Sequence, residues 1–246
     1  MSPNPASFLE HLATKGYHSR SNKHSNHLSE AIVKDLVEHC PHIAAHAKSG
    51  DLVYWLNFKL RVGTSEWNVD LVLGRPPLGV KAKMGSIGIG RMKPSVVQIA
   101  VELKAIMTEH HKAAKNRKRD LEAHHEHVHN YGNTTIAGGV FLVNSSATFQ
   151  SKLRDEKTDH KVPARLVEHC VAELRAVAGR GGSTGYGLEA RCAIVVDYSD
   201  LPGSVPTYPK RLGPPDGDPL HYDGFIRAIC EAYSRRFVGT SSSSHA

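Results

Sequence analysis

Apolar positions along the chain alternate between two periods, one helical and one strand-like. In SNHLSEAIVKDLVEHC, Leu28, Ile32, Leu36 and Val37 recur at helical spacing, with Asn26 or Ser29 as candidate caps and Pro41 as a stop. The preceding 25 or so residues are polar and rich in Ser, Asn and His, which reads as a short helix and a loop. DLVYWLNFKLRV carries Tyr54, Trp55, Phe58 and Val62 and predicts a strand. Residues 63–68 read as a hairpin turn into a second strand, NVDLVLG. Residues 74–95 hold Pro, Gly and Lys without periodicity and read as a long excursion. VVQIAVELKAI is the strongest strand signal. A very polar helix over 108–129 follows it, then the apolar strand TTIAGGVFLVNSS and a helix, ARLVEHCVAELRAVAG. The strand RCAIVVDYS, a Pro-rich loop over 201–219 and the helix DGFIRAICEAYSRRF complete the pattern.

This order of elements predicts a single α/β domain, a mixed sheet flanked by helices, with loop insertions. The expected organisation is a polar N-terminal segment over 1–25, one domain over 26–238 with its core in 26–145, and a flexible tail over 239–246.

Composition narrows the class. The chain has 246 residues, 40% of them hydrophobic and 22% charged, an ordinary globular balance. No apolar run approaches the 18 to 20 residues of a membrane span, and the N-terminus has no basic start before an apolar block, so a cytoplasmic protein is expected. Cys40, Cys170, Cys192 and Cys230 form no CxxC pair and read as reduced, buried thiols. The formal net charge of +7 suits a polyanionic partner.

Candidate chemistry lies on two successive strands. On residues 96–106, strand alternation puts Val97, Ile99, Val101, Leu103 and Ala105 on one face and Gln98, Ala100, Glu102 and Lys104 on the other. On the preceding strand Val69, Leu71 and Leu73 form an apolar face and Asp70 lies opposite. If the strands pair, Asp70 and Glu102 approach across a spacing of about 4.7–4.9 Å. Two carboxylates that close repel each other, and a divalent cation between them relieves the repulsion. Mg²⁺ takes oxygen ligands and a substrate phosphate together, and the Lys104 ammonium can hold a water or stabilise charge building on the phosphate.

Asp70 followed by Glu102-Leu103-Lys104 resembles the PD-(D/E)XK nuclease superfamily, the restriction-endonuclease-like fold, over roughly residues 26–145. The resemblance implies that Asp70, Glu102 and the Leu103 carbonyl hold Mg²⁺, that Lys104 is the catalytic lysine, and that Glu30 on the first helix faces the site. It departs from the pattern in two ways: Val69 precedes Asp70 where proline is common, and 102 − 70 = 32 residues separate the carboxylates, so 74–95 is an insertion. It further implies a Mg²⁺-dependent endonuclease on double-stranded DNA, foremost a type II restriction enzyme acting as a homodimer. A repair or phage structure-selective nuclease and a non-catalytic nucleic-acid-binding module of the same fold are the alternatives.

On the polar helix Lys112, Lys115 and Arg119 share one face, and Lys81, Lys83 and Arg91 lie in the insertion; both sets are candidate DNA contacts. His125 and His129 have a zinc-compatible i, i+4 spacing, but no third ligand follows from the spacing and a polar or DNA-facing helix is the preferred reading. The superfamily's Gln-to-Tyr pair on this helix has His127 and Tyr131 in its place. GSIGIGR and GRGGSTGYG lack the P-loop pattern.

Overall fold

A computed structural model describes residues 5–182 and 184–238; the expected tail over 239–246 lies outside them. Six helices and eight strands follow in chain order. They are α1 (Ala6–Lys15), α2 (Lys23–His39), α3 (Pro41–Lys48), β1 (Val53–Val62), β2 (Ser65–Arg75), β3 (Gly90–Arg91) and β4 (Val96–Ile106). After these come α4 (His110–Tyr131), β5 (Ile136–Asn144), β6 (Thr148–Phe149), β7 (Thr158–Asp159), α5 (Pro163–Arg175), β8 (Ala190–Val196) and α6 (Tyr222–Phe237).

One mixed sheet runs β3-β1-β2-β4-β5-β8. β1, β2 and β4 form an antiparallel meander, and β4, β5 and β8 are parallel. Buried side chains fall into two clusters, one on each face. The first joins α1, α2, α3 and α6 to the sheet through residues such as Leu28, Ile32, Leu71, Val101 and Phe225. The second joins α4 and α5 through Leu121, Val128, Ala100, Phe141 and Cys170. Strand β5 is buried at all nine positions, as a parallel strand covered on both faces must be. Gly138 and Gly139 let the two helical layers come close to it: a Cβ on Gly138 would meet Phe225 of α6 at 3.3 Å, and one on Gly139 would meet Leu121 of α4 at 3.0 Å.

The strand alternation expected for β2 breaks. Val69 packs in the α4 cluster, whereas Leu71 and Leu73 pack in the α2 cluster. On β1 the same switch separates Leu56 from Phe58. The residue between them, Asn57, has a left-handed backbone (φ 52°), a conformation Asn tolerates better than most residues, and its amide donates to Asn26 of α2 at 2.8 Å. The hairpin therefore twists there and carries its far end to the other face of the sheet. On β4, Val97 likewise leaves its expected face and joins the α4 cluster, past an irregularity of the ladder between Leu73 and Gly74.

Pro41 does not simply stop α2. It occupies the first turn of α3, where a missing N–H costs nothing. The hairpin turn is shorter than expected, since β2 begins at Ser65. The polar N-terminal segment holds the expected short helix, and this helix, α1, buries Phe8 and Leu12 in the first cluster. Arg180, in the Gly-rich stretch after α5, belongs to a buried ion network. Glu189 accepts from Arg180 at 3.1 Å, from Arg236 of α6 at 2.7 Å and from the backbone N–H of Ala137 at 2.7 Å.

Cys40 and Cys230 form a disulfide between the end of α2 and α6, with Cα atoms 5.4 Å apart, so the expectation of four reduced thiols is corrected. The partners are 190 residues apart in sequence, and only the packing of the two helices brings them together. Cys170 and Cys192 are free and buried. Thiol titration of the denatured, unreduced protein is expected to count two reactive groups; a count of four would refute the bridge. Among the described residues no helix is long and apolar enough to cross a membrane.

Candidate active site at the β2–β4 edge

The ladder between β2 and β4 pairs Leu71 with Val101. One step further on, Asp70 comes level with Glu102, and there β2 leaves the ladder. The Asp70 carboxylate takes over the hydrogen bond a strand carbonyl would otherwise accept, receiving the N–H of Leu103 at 2.8 Å. Burial pushes the Asp70 carboxyl above the ordinary range, against the pull of the Leu103 N–H, the Lys104 charge and the Ser25 hydroxyl. Burial also raises Glu102, and the neighbouring Asp70 charge raises it further, while Lys104 and the Trp67 indole favour its ionised form. Glu102 is thus buried and Asp70 half-buried beside it, with the Asp70 charge acting on Glu102.

Glu102 and Lys104 share the face turned to α4, as the alternation requires. Lys104 Nζ lies 2.6 Å from Glu102 Oε1 and 3.8 Å from Asp120 of α4. The second Glu102 oxygen, Oε2, is buried without a hydrogen-bond partner, as are Trp67 Nε1 and His124 Nδ1. His124 Nδ1 stands 3.8 Å from that oxygen. Burial drives the His124 imidazole down to about 3, so it is neutral and offers no charge to the carboxylate. A carboxylate raised by its neighbour and left with an unused buried oxygen fits a group that binds a cation or a proton.

A cavity of about 240 Å³ opens beside this pair. Asp70, Leu103 and Lys104 form its floor, Arg117 of α4 one wall, and the segment from Tyr17 to Ser25 the other. Glu102 does not line it and stands behind Lys104.

Asp70, Glu102, Leu103 and Lys104 therefore come together, but other expected site residues do not join them. Glu30 is turned away: its carboxylate accepts from the Tyr54 hydroxyl at 3.2 Å and lies 3.5 Å from Arg91. Ser25, more than one turn earlier on α2, is the residue beside Asp70. Arg91 also lies over the Trp55 ring. Lys81 is paired with Asp51, away from the cavity, and Lys83 is exposed. Lys112, Lys115 and Arg119 are exposed on the outer face of α4.

The His127 Nε2–H donates to Leu60 O at 2.9 Å, and the Tyr131 hydroxyl accepts from Val97 N at 3.3 Å, so this pair braces the sheet and does not reach the cavity. His129 contacts Gly187 O and Arg180. It forms no three-ligand group with His125. Among the described residues the one such group is Asp35, Glu38 and His39 at the other end of α2, where Asp35 accepts from Tyr222 at 2.6 Å.

No protein family, no curated protein and no solved structure matches this chain. The site has to be read from its own geometry.

The residues that the sequence reading left out of the site are Arg117, Asp120, His124, Trp67 and Ser25, of which Arg117 belongs to the basic cluster of α4 and His124 to its histidine run. A signal existed for α4. Ala114, Leu121, His124 and Val128 form its buried stripe, and Arg117 and Asp120 flank that stripe at i, i+3.

Proposed function

We propose that the protein is a divalent-cation-dependent nuclease that hydrolyses DNA phosphodiester bonds. The observation that carries this reading is the coupled pair, Asp70 and Glu102, level on neighbouring strands with Lys104 on the same strand as Glu102. Asp70 and Glu102 are the residues that would hold Mg²⁺, with the Leu103 carbonyl as a further donor. Their fit to a cation rests on two carboxyls that burial raises, Glu102 further by the Asp70 charge, and on the unused Glu102 oxygen. When bound, the cation supplies Lewis-acid polarisation of the phosphodiester and offsets charge that builds in the transition state.

The chain's own residues do the rest. Asp70, anchored by the Leu103 N–H, is fixed in direction before any substrate arrives. Lys104 is held from two sides by Glu102 and Asp120, and its side chain keeps 20% exposure at the cavity floor. An ammonium has three donors and only Glu102 lies within hydrogen-bond distance, so donors remain to orient an attacking water or to contact a phosphate oxygen. The sheet and α4 exclude bulk water from Glu102, which strengthens each of these interactions.

Type II restriction of duplex DNA by a homodimer belongs to this proposal as its biological form, because cutting both strands of a palindrome takes two sites related by a two-fold axis. The walled cavity favours a second form, a structure-selective nuclease.

The test is a digest of plasmid DNA and of single-stranded circular DNA with Mg²⁺, with Mn²⁺ and with EDTA. Cleavage that EDTA stops is expected, and discrete bands would mark restriction. DNA left intact under every metal condition would overturn the reading.

A further inference from the structure

The cavity has a property that the carboxylate pair does not explain. Its rim is built for an anion. Two cations reach it, Lys104 from the floor and Arg117 from α4. Ser19, Ser21 and Ser25 bring hydroxyls, and Asn22 brings a side chain that makes no cap bond to its own helix. The first turn of α2 holds no acidic residue, so its positive end is not neutralised there. Asp70 is the one carboxylate lining the cavity, and it is the one already assigned to a cation.

Arg117 is poised there without being consumed. It donates to Asp120 at 2.9 Å through one nitrogen, and its side chain keeps 43% exposure. A guanidinium has five donors in a planar fork, so most of them remain for a phosphate. Its charge also reaches the Tyr17 hydroxyl across the cavity, favouring the ionised phenol against burial.

The opposite wall is fixed in place. The Tyr17 N–H donates to the Asp200 carboxylate at 3.3 Å, and Asp200 also accepts from the Tyr198 hydroxyl at 2.5 Å. The His18 N–H donates to His24 Nε2 at 2.8 Å, and the Tyr17 ring stacks on His24 with centroids 4.8 Å apart. Lys152 donates to Lys15 O at 3.2 Å, just before this segment. The strap over residues 16–22 is thus tied down at both ends.

We infer that this cavity takes a single backbone phosphate of an unpaired nucleic-acid strand, and that Arg117 is the residue that grips it. The volume, about 240 Å³, falls below the roughly 300–1,000 Å³ of pockets that enclose drug-sized ligands, so it accommodates a phosphate with part of one nucleotide. A single strand can bend such a unit between the strap and α4. A duplex is stiff over about 150 base pairs and carries its second strand alongside, which meets the strap. The inference rests on the nuclease reading for its chemistry, but binding can be measured apart from cleavage.

The experiment uses the full chain and fluorescence anisotropy with a short labelled oligothymidylate, alone or annealed to its complement, with Ca²⁺ in place of Mg²⁺. The single strand is expected to bind at least about tenfold more tightly than the duplex. Arg117→Ala should weaken single-strand binding about tenfold and lower the salt slope by about one, with Arg117→Lys falling between. Circular dichroism of each variant checks that the fold is kept. Equal affinity for both forms, or an Arg117→Ala variant that binds like the unsubstituted protein, would overturn the inference. If the strand preference and its Arg117 dependence persist while no metal supports cleavage, the nuclease reading falls and the phosphate pocket stands. If DNA is cut and Arg117→Ala binds normally, the pocket assignment falls and the nuclease reading stands.

Discussion

Glu102→Gln is expected to remove metal-dependent cleavage, by about 10³-fold or more, while making the metal-free protein relatively more stable at alkaline pH. The two effects have one cause. Burial and the Asp70 charge hold the Glu102 carboxyl above its ordinary range in the folded protein, with Lys104 only partly opposing them. A group whose folded pKa exceeds its unfolded value stabilises the fold below the unfolded value, about 4.3 for Glu, and loses that contribution as pH rises through the folded value. Glutamine cannot ionise and avoids the loss. Thermal unfolding in EDTA should therefore show the Glu102→Gln variant gaining on the unsubstituted protein between about pH 5 and about pH 8. Mg²⁺ should narrow that difference, since only the carboxylate form binds it well. A variant that loses activity and also loses ground as pH rises would mean that Glu102 is a plain structural ion-pair partner of Lys104.

The second large effect lies outside the site. Glu189→Ala should lower stability by about 3–5 kcal/mol, because it leaves the side chains of Arg180 and Arg236, 1% and 8% exposed, with their shared carboxylate removed. For a chain of this size that is a fall of roughly 6–20 °C in the thermal midpoint. Glu189→Gln, which can still accept from the Ala137 N–H, should lose less. This network ties the Gly-rich segment, the end of α4 and the end of α6 to the start of β5, so its loss loosens three connections together. A midpoint within 2 °C of the unsubstituted protein would show that the network is dispensable.

The long strand β4 could be read from the sequence because its alternation from Ile99 to Ala105 fixes both period and faces, with Val97 the residue that departs from it. That alone put Glu102 and Lys104 on one side, and the pairing with β2 then followed. What escaped was whatever depended on a break in regularity or on distant parts of the chain. Asn57 gives no sign that its backbone will turn left-handed, so Val69 was assigned to the face of Leu71. Helical spacing locates the buried side of α2, yet it does not say which turn meets Asp70, and Ser25 stands there where Glu30 was expected. Pro41 is ambiguous by nature, since proline ends one helix and suits the first turn of the next. Phe8 and Leu12, one turn apart in a polar stretch, did carry a signal that the N-terminal segment packs. The disulfide could not be found from spacing, because 190 residues separate its partners.

Gly139 faces Glu102 in the parallel ladder of β4 and β5. The missing methyl there lets Leu188 and Leu121 of α4 settle together against the strand. Asp120 precedes Leu121, and His124 follows less than one turn later. The height at which both reach Lys104 and Glu102 is therefore dictated by the strand beneath them and by no contact within the acidic pair. A methyl group at 139 would press on Leu188 at 2.7 Å and on Leu121 at 3.0 Å, so both side chains that pack over the strand beside the acidic pair would have to give.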